Sequence, residues 1–423
     1  MTSTTDLDPE RTLSDLRELA TLTSDEHGAQ RVAWTPRWRR TRAWLTEKAA
    51  GLPVEEAIDA AGNQWFTLPG ARPQALVLGS HLDSVPNGGW LDGALGVLAG
   101  LEVLRRIAAQ GTPPVTVRLV NWADEEGARF GRSLFGSSAA SGTLDIEEAR
   151  LGRDAQGVTV EDALRENGVE LDRMKAAGAQ LADVAAYLEL HIEQGPVLER
   201  LDLPLGVVTG TFGVERRLLR FTGQSAHAGS TPMDQRRDPL AAAARTLLEV
   251  REIARREGGV GTVGRLVTSP GIVTAIAGEV EMTLDLRHLD APALGRMLEQ
   301  VLAAADRVAG EEGVRFEVAP TWHIDPILFD PTLLDFADTA VAALQGRTQR
   351  LPSGPLHDAA EMARIGIPTA MLFTQSLRGL SHTKEEDSRP EHVRQAVTAL
   401  DGVASRTLRW LAEPGHTRSE HRR

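Results

Sequence analysis

The sequence predicts an α/β fold in which a mostly parallel sheet is flanked by helices and a smaller α+β domain is inserted into the chain. Short apolar runs alternate with helical patterns after residue 74, which is typical of β-α-β units. A different order of strands and helices occupies residues 214–322. The chain has 423 residues, more than one hydrophobic core usually serves. Two domains are therefore expected.

The amino-terminal elements predict the first part of the sheet domain. Thr35 and Pro36 mark the start of a helix, because threonine caps helix ends and proline is favoured in the first turn. The apolar run at residues 75–79 is typical of a parallel strand that is buried on both faces. The predicted elements are helices at residues 12–21 and 36–50, a strand at 75–79, a helix at 93–110 and a strand at 115–120.

Residues 214–322 predict a compact inserted domain. The order strand, helix, two extended stretches, helix, strand is that of a ferredoxin-like α+β domain. The larger domain then consists of residues 1–213 and 323–413, and the polar segment 414–423 is expected to be a disordered tail. The predicted elements of the insertion are a strand at 216–222, a helix at 239–257, extended stretches at 262–276 and 279–288, a helix at 291–309 and a strand at 314–319.

Composition excludes several classes of function. The formal net charge is −13, which argues against a nucleic-acid partner because phosphates bind basic surfaces. Cysteine is absent, which excludes disulfides, thiolate metal ligands and cysteine nucleophiles. The first residues are polar and acidic, and no apolar run has the length of a membrane span. A cytoplasmic protein that does not bind membranes is therefore expected.

The first polar cluster follows the predicted strand at residues 75–79. His81 lies just past this strand, at the end where open α/β sheets place their sites. Asp83 is two residues further on, so it can share the face of His81 and hold its imidazole. Asp92 lies in a glycine-rich loop before the next helix, within reach of the same point. The alternative interpretation is a turn with solvated polar groups.

Three further clusters follow other short apolar segments. One of two adjacent glutamates can bind a metal while the other acts as general base. Each cluster by itself also fits a solvated loop or a structural histidine, but four clusters together predict a metal site. Nitrogen and oxygen ligands without sulfur suit Zn²⁺, and also Mn²⁺, Co²⁺ or Ni²⁺. The residues concerned are Glu125 and Glu126 after the second predicted strand, His191 in a strand-like segment, and His382 after the apolar run at 367–373.

Taken together, these motifs resemble those of a known family. The chain is similar to the hydantoinase/carbamoylase group of the aminoacylase-type zinc metallopeptidases, which contains N-carbamoyl-L-amino-acid hydrolases, allantoate amidohydrolases and β-ureidopropionases. The resemblance spans about residues 12–412 and implies a zinc-exopeptidase-like catalytic domain with an inserted lid and dimerisation domain. It rests on these motifs, in this order: GSHLDSVPNGGWLDG, ADEEGARFG, ELHIEQGPVLE, SAHAGSTPMDQRRDP, TLDLRH and GLSH.

The resemblance also implies the parts of the catalytic site. Two divalent metal ions per subunit are expected, with Asp92 bridging them. Glu125 matches the general base. His227 matches a residue that stabilises the developing oxyanion, in many members across a dimer interface. The ligands implied are His81 and His191 for one ion, Glu126 and His382 for the other, and Asp92 for both.

Substrate contacts follow from the same resemblance. Gln194, Arg216 and Arg287 match positions that contact substrate in the family. Arg287 is the expected carboxylate clamp, because a guanidinium group offers two parallel donors. The alternative for Arg287 is a strand arginine paired with Asp285 or another acid.

Two positions depart from the family pattern. Thr274 stands where many members have an asparagine that contacts the substrate carboxylate, and threonine offers no amide donor. Leu356 precedes His357-Asp358 where glycine is common, and it adds bulk. The metal site therefore matches the family, while the substrate pocket differs from it.

The function implied by the resemblance is a two-metal amidohydrolase that cleaves the C–N bond of an N-carbamoyl amino acid or a related ureido acid such as allantoate. The expected partners are a small carboxylate-bearing substrate and a second copy of the chain, which forms a homodimer through residues 214–322. An N-acyl-amino-acid hydrolase or dipeptidase is an alternative. So are a serine amidase that uses the serines at 136–142, and a non-enzymatic binding protein on the same fold.

Overall fold

The computed structural model describes residues 6–413, which form two compact units. One unit contains the chain up to Thr209 and from Phe329 onward, and the other unit is Gly210–Leu328. The second unit has bounds a few residues outside those predicted for the insertion. The predicted tail at residues 414–423 lies outside the described residues.

The helices and strands are numbered here in chain order. The α-helices are α1 (Pro9–Thr23), α2 (Pro36–Ala49), α3 (Ala94–Ala109), α4 (Phe135–Ser141), α5 (Ile146–Arg150), α6 (Val160–Glu166), α7 (Val197–Arg200), α8 (Pro239–Glu257), α9 (Ala291–Glu312), α10 (Pro331–Gln345), α11 (Asp358–Arg364) and α12 (Pro390–Ala412). The strands are β1 (Ser24–Asp25), β2 (Gly28–Ala29), β3 (Glu55–Ile58), β4 (Gln64–Leu68), β5 (Ala75–His81), β6 (Thr116–Trp122), β7 (Val184–Ile192), β8 (Leu205–Thr211), β9 (Gly213–Thr222), β10 (Ala226–His227), β11 (Val260–Thr262), β12 (Leu266–Ser269), β13 (Ala275–Ile276), β14 (Glu279–His288), β15 (Arg315–Ile324), β16 (Ile327–Leu328), β17 (Arg350–Ser353) and β18 (Thr369–Thr374). Short 3₁₀ helices lie at Leu171–Leu181, Met233–Gln235 and Leu377–Gly379.

The large sheet has the strand order β16-β8-β18-β7-β5-β6-β4-β3, with β17 paired to β8. Its four central strands, β18, β7, β5 and β6, are parallel, as predicted. Antiparallel pairs extend the sheet on both sides. Every residue of β5 is buried, because an apolar run at the centre of such a sheet is covered on both faces.

Helix ends in the first unit follow the signals in the sequence. The side chain of Thr35 caps α2 by accepting a hydrogen bond from the main-chain N–H of Trp38 at 3.3 Å, as the sequence predicts. Helix α3 packs on β5 and against α1 and α12, so it is buried over most of its length. Its first turn begins directly after Gly93, which places the preceding loop at the carboxyl end of the central strands.

The second unit has its own antiparallel sheet, in the order β11-β14-β9-β15 with β12 paired to β14. Helices α8 and α9 pack together and share one apolar core with this sheet. The β-α-β-β-α-β order that the sequence predicts is therefore present. Helix α8 has the predicted bounds, because Asp238 caps its start and Gly258, with a φ of 77°, ends it.

A helix that spans a membrane must be both long and apolar. In the part of the chain that the structure describes, no helix combines the length and the apolar composition that crossing a bilayer requires.

Candidate metal centre

The carboxyl ends of neighbouring parallel strands bring the predicted ligands of the first unit to one edge of the sheet. His81 is the last residue of β5, and His191 lies one residue before the end of β7. Residues 123–126 follow directly after β6. Because β6, β5 and β7 are adjacent and parallel, the residues at their carboxyl ends converge.

The first ligand group consists of His81, Asp92 and His191, with one ligand atom of each within 4.8 Å of the others. Oδ1 of Asp92 lies 3.0 Å from Nε2 of His191 and 3.8 Å from Nε2 of His81. All three side chains are buried. The group therefore offers two imidazole nitrogens and a carboxylate oxygen that face a common point.

The second ligand group consists of Asp92, Glu126 and His382, again within 4.8 Å of one another. Nε2 of His382 lies 3.4 Å from Oδ2 of Asp92 and 3.4 Å from Oε2 of Glu126. The His382 side chain is 52% exposed. Asp92 thus faces one group with Oδ1 and the other with Oδ2, so the five residues predicted as ligands are brought together around it.

The two buried histidines are oriented by main-chain oxygens. Nδ1 of His81 donates to the main-chain oxygen of Asp83 at 3.1 Å, and Nδ1 of His191 donates to that of Ile192 at 2.9 Å. A carbonyl oxygen only accepts, so in the neutral rings Nδ1 carries the proton and Nε2 keeps its lone pair. Nε2 of His81 is buried without a hydrogen-bond partner in the described chain. This arrangement fits a bound cation.

Burial and charge shift the pKa values of these histidines in opposite directions. Burial lowers the pKa of His81 to about 3, so this ring is neutral and ready to act as a ligand. Burial also disfavours the charged form of His191, but the Asp92 carboxylate raises the pKa of this ring to about 9. When no cation is bound, a proton on His191 balances the negative charge of Asp92. A cation placed between the two side chains would balance the same charge.

Glu125 lies beside the first group without belonging to either set of three. Its Oε2 is 3.6 Å from Nε2 of His81, and the side chain is buried. Burial and the nearby carboxylates of Asp358 and Glu126 raise the pKa of Glu125 well above its usual range. A carboxylate with a raised pKa binds a proton more readily, which suits a group that accepts a proton and later returns it.

Asp83 lies beside His81 and also supports the turn after β6. Its carboxylate accepts hydrogen bonds from the main-chain N–H groups of Glu125 at 3.2 Å and Glu126 at 3.1 Å. Its Oδ1 is 3.6 Å from Nδ1 of His81, whereas its main-chain oxygen makes the hydrogen bond to that ring. The Asp83 carboxylate therefore lies beside the His81 ring and also holds the turn that carries the two glutamates, and its role in orienting His81 stays a prediction.

Gln194 lies against the shared carboxylate. Its Nε2 donates to Oδ2 of Asp92 at 2.9 Å and to Oγ of Ser381 at 3.1 Å. Its main chain has a φ of 57°, in the left-handed region that few residues other than glycine adopt. The structure therefore brings Gln194, predicted as a substrate contact, to the ligand groups themselves.

Three residues near the ligands were not predicted from the sequence. Glu386 accepts hydrogen bonds from the main-chain N–H of Asp92 at 2.9 Å, and Ser381 lies 2.9 Å from the Asp92 carboxylate. Arg31 is fully buried and donates to the main-chain oxygen of Leu82 at 2.8 Å. Burial lowers the pKa of Arg31, while Glu386 and other nearby acids oppose this shift. Only the position of Ser381 next to His382 was a usable signal in the sequence.

In the second unit, His227 and Thr274 lie on one short ribbon. His227 pairs with Ala275 between β10 and β13, and the main-chain oxygen of Thr274 accepts from the N–H of Ala228 at 2.9 Å. His227 is exposed, and its Nδ1 accepts a hydrogen bond from the N–H of Gly229 at 3.1 Å. Nε2 of this ring is therefore the nitrogen that can carry a proton for donation.

The two arginines predicted as substrate contacts share one carboxylate of the second unit. Nε of Arg216 lies 2.7 Å from Oδ2 of Asp285, and Nε of Arg287 lies 2.8 Å from Oδ1 of the same side chain. The guanidinium group of Arg216 also stacks over Trp322 at 4.7 Å. The pairing of Arg287 with Asp285 is the alternative that the sequence left open, and its use as a carboxylate clamp stays a prediction.

The segment of the serine-amidase alternative forms helix α4. Oγ of Ser137 donates to the main-chain oxygen of Leu134, and Oγ of Ser138 donates to that of Phe135. Such bonds within a helix satisfy the hydroxyl groups locally. Ser137 and Ser138 therefore act as helix residues, while Oγ of Ser141 donates to the Glu361 carboxylate at 2.7 Å.

Leu356 is the second position that departs from the family pattern. Leu356 is half-buried and directly precedes His357, which is buried with its ring centroid 4.4 Å from that of His191. Nε2 of His357 is 2.9 Å from Oγ of Ser353. Leu356 therefore stands next to a histidine that packs on the first ligand group.

Comparisons with known proteins identify the family of the chain. Residues 77–406 match Peptidase family M20/M25/M40. The N-carbamoyl-L-amino acid amidohydrolase of Geobacillus stearothermophilus is 41% identical over 372 residues, 86% of this chain and 90% of that protein. The allantoate amidohydrolase of Bacillus subtilis is 31% identical over 385 residues, 89% of this chain and 92% of that protein.

Solved structures give the same result. An amidase of the hydantoinase/carbamoylase family from Burkholderia multivorans has a TM-score of 0.85 and 32% identity, and the match covers 95% of this chain and 98% of that chain. The chain therefore belongs to Peptidase family M20/M25/M40, whose members are metal-dependent. The predicted family, fold class and enzyme class, an amidohydrolase acting on C–N bonds, are confirmed. The alternative of a non-enzymatic binding protein finds no support among these relatives.

Proposed function

We propose that this protein uses two divalent metal ions to hydrolyse the C–N bond of a ureido group in an N-carbamoyl amino acid or a related ureido acid such as allantoate. The observation that carries the proposal is the position of Asp92, whose two carboxylate oxygens face two separate ligand groups. The names of the relatives, N-carbamoyl-L-amino acid amidohydrolase and allantoate amidohydrolase, support this class of substrate.

The residues present suit two ions of zinc, manganese, cobalt or nickel, because they offer nitrogen and oxygen donors without sulfur. When bound, such ions polarise a carbonyl oxygen and lower the pKa of water. The proposed ligands are His81 and His191 at one ion, Glu126 and His382 at the other, and Asp92 at both.

Glu125 is the proposed general base. Its carboxylate takes a proton from the attacking water as the water oxygen bonds to the ureido carbonyl carbon. The C–N bond then breaks, and Glu125 returns the proton to the departing nitrogen. With an N-carbamoyl amino acid, breaking one C–N bond leaves a carbamic acid, which loses carbon dioxide as its own C–N bond breaks, so the products are the free amino acid, ammonia and carbon dioxide.

Residues of the second unit are proposed to contact the substrate. His227 would donate to the developing oxyanion, and Arg287 would hold the substrate carboxylate, assisted by Arg216 and Gln194. Thr274 would take the position of the family's asparagine. Domain closure and a homodimer formed through residues 214–322 are parts of this proposal. Sedimentation that finds a fully active monomer would contradict the dimer.

A substrate screen tests the proposed activity. Metal-loaded protein is assayed on N-carbamoyl, N-acetyl and N-formyl derivatives of the same L-amino acid, on a dipeptide, and on allantoate. We expect the highest kcat/KM on a ureido substrate. Thr274 lacks the amide donor of the family's asparagine, so the pocket differs from that of ureido-acid hydrolases. The acyl derivatives and the dipeptide therefore test the alternative of an N-acyl-amino-acid hydrolase or dipeptidase. Faster turnover of these compounds than of any ureido acid would replace the proposal by that alternative.

A further inference from the structure

We propose that Glu386 is a positioning residue that ties Asp92 to the segment carrying His382, and so controls how tightly the second ligand group binds its cation. The second group is Asp92, Glu126 and His382. This inference rests on the proposed two-metal function. It assigns a role to a side chain that belongs to neither ligand group.

One carboxylate oxygen of Glu386 anchors the loop that carries Asp92. Oε1 accepts hydrogen bonds from two consecutive main-chain N–H groups, that of Leu91 at 3.0 Å and that of Asp92 at 2.9 Å. Glu386 is only 1% exposed, so these hydrogen bonds to a carboxylate are formed away from water. Both distances are those of well-formed N–H···O hydrogen bonds. The main chain at Asp92 is therefore held by Glu386.

The other carboxylate oxygen reaches the Asp92 side chain through Ser381. Oγ of Ser381 lies 2.9 Å from Oε2 of Glu386 and 2.9 Å from Oδ2 of Asp92. The hydroxyl group has one proton, so it donates to one carboxylate at a time while staying in contact with both. Glu386 is thus linked to both the main chain and the side chain of the shared ligand.

The structure is built closely around this carboxylate. A side chain at Gly89 would overlap the Glu386 carboxyl group, so only glycine leaves room for it. The main-chain N–H of Glu386 donates to the oxygen of Thr383 at 3.0 Å, which closes the turn directly after His382. The position of Glu386 therefore fixes this turn relative to the loop at residues 88–93.

The first ligand group does not depend on this link to the same degree. His81 and His191 lie in strands, and the main chain holds Nδ1 of each ring. His382 lies outside the strands, has a φ of 56°, and is half-exposed. Loss of Glu386 should therefore loosen the second group much more than the first.

The test titrates metal-free protein with Zn²⁺ in a calorimeter and repeats the titration with Co²⁺, whose absorption spectrum reports the ligand geometry. His382→Ala identifies which binding step belongs to the second group. For Glu386→Ala we expect that step to weaken roughly 10–100-fold while the first step changes far less. Glu386→Gln keeps an oxygen acceptor and should recover part of the loss.

Two further variants complete the test. Ser381→Ala removes only the hydroxyl link, so it should weaken the second step less than Glu386→Ala does, and it serves if Glu386→Ala fails to fold. Glu385→Gln is the matched control, because Glu385 is exposed and pairs with Arg378. This control should bind both ions like the unaltered chain.

The outcomes separate the inference from the proposed function. Unaltered protein that binds two ions, combined with a second step that does not change in the Glu386 and Ser381 variants, overturns the inference alone. Equal weakening of both steps also overturns it, because that result indicates a general structural role. Unaltered protein that binds fewer than two ions contradicts the proposed function as well.

Discussion

The two ligand groups around Asp92 are built in different ways. In the first group, His81 and His191 lie in neighbouring parallel strands, both rings are buried, and main-chain oxygens set their orientation. In the second group, His382 lies in a loop with its side chain 52% exposed, and Glu126 lies in the turn after β6. The first group is therefore preorganised by the sheet, whereas the second depends on loops held by hydrogen bonds.

This difference has a consequence for metal binding. A preorganised group loses little conformational freedom when a cation binds, so more of the interaction appears as affinity. A group in loops must be ordered by its neighbours or by the ion itself. We therefore expect the first group to bind its ion more tightly, and the second to be the one that solution conditions and nearby substitutions affect most.

The largest expected effect tests the base beside the first group. Glu125→Gln keeps the size of the side chain but removes its ability to accept a proton, so kcat should fall about 10²–10⁴-fold. Both ions should still bind, because Glu125 is outside the two ligand groups. Glu385→Gln is the control for kcat. Activity within tenfold of the unaltered chain would exclude Glu125 as the base.

Removal of one histidine from each group tests the comparison directly. His382→Ala should leave one tightly bound ion per chain, since the first group is intact. His81→Ala should weaken binding at the first group and leave only the weaker second group. Elemental analysis after dialysis against metal-free buffer measures both contents. Equal metal contents in the two variants would contradict the difference between the groups.

Metal removal should lower the stability of the first unit. A ligand at 100 times its Kd stabilises the folded state by about 2.7 kcal/mol. Without cations, burial and the nearby Asp92 carboxylate raise the pKa of Glu126 to about 8, so the charged form that would bind a cation is disfavoured. Thermal unfolding with and without a chelator measures the change. An unchanged Tm would mean that no tightly bound ion stabilises the fold.

The smallest expected effect concerns the packing around His81. Gly93 has a φ of 63°, and a side chain there would overlap the His81 ring. Gly93→Ala should weaken the first binding step. Gly111→Ala is the matched control, because Gly111 has a φ of 97° with open space around it. It should cost about 1–2 kcal/mol in free energy of unfolding and leave metal binding unchanged. Identical metal affinity in both variants would contradict the preorganisation of the first group.

Much of the first ligand group was predictable from the sequence. The apolar runs before His81 and before Trp122 indicate parallel strands. The carboxyl ends of such strands meet at one edge of a sheet. Helix α8 had clear start and stop signals in Asp238-Pro239 and Gly258. These features depend on local sequence patterns, which can be recognised in a single sequence.

Other features depend on contacts between distant segments. Glu386 stands in the charged run Lys384-Glu385-Glu386-Asp387, whose composition is typical of a solvated loop. Glu386 is nevertheless buried, because its carboxylate binds the main-chain N–H of Asp92, 294 residues earlier in the chain. The carboxylate of Asp83 had two partners within reach, and only the fold decides that it binds the turn at residues 125–126. No sequence pattern decides such choices.

The most direct test of the account is the anomalous X-ray scattering of crystals grown with zinc, recorded at the zinc absorption edge. We expect two peaks, one on each side of the Asp92 carboxylate, with His81 and His191 at one and Glu126 and His382 at the other. A single peak, or peaks that do not share Asp92, would show that this carboxylate does not hold two ions.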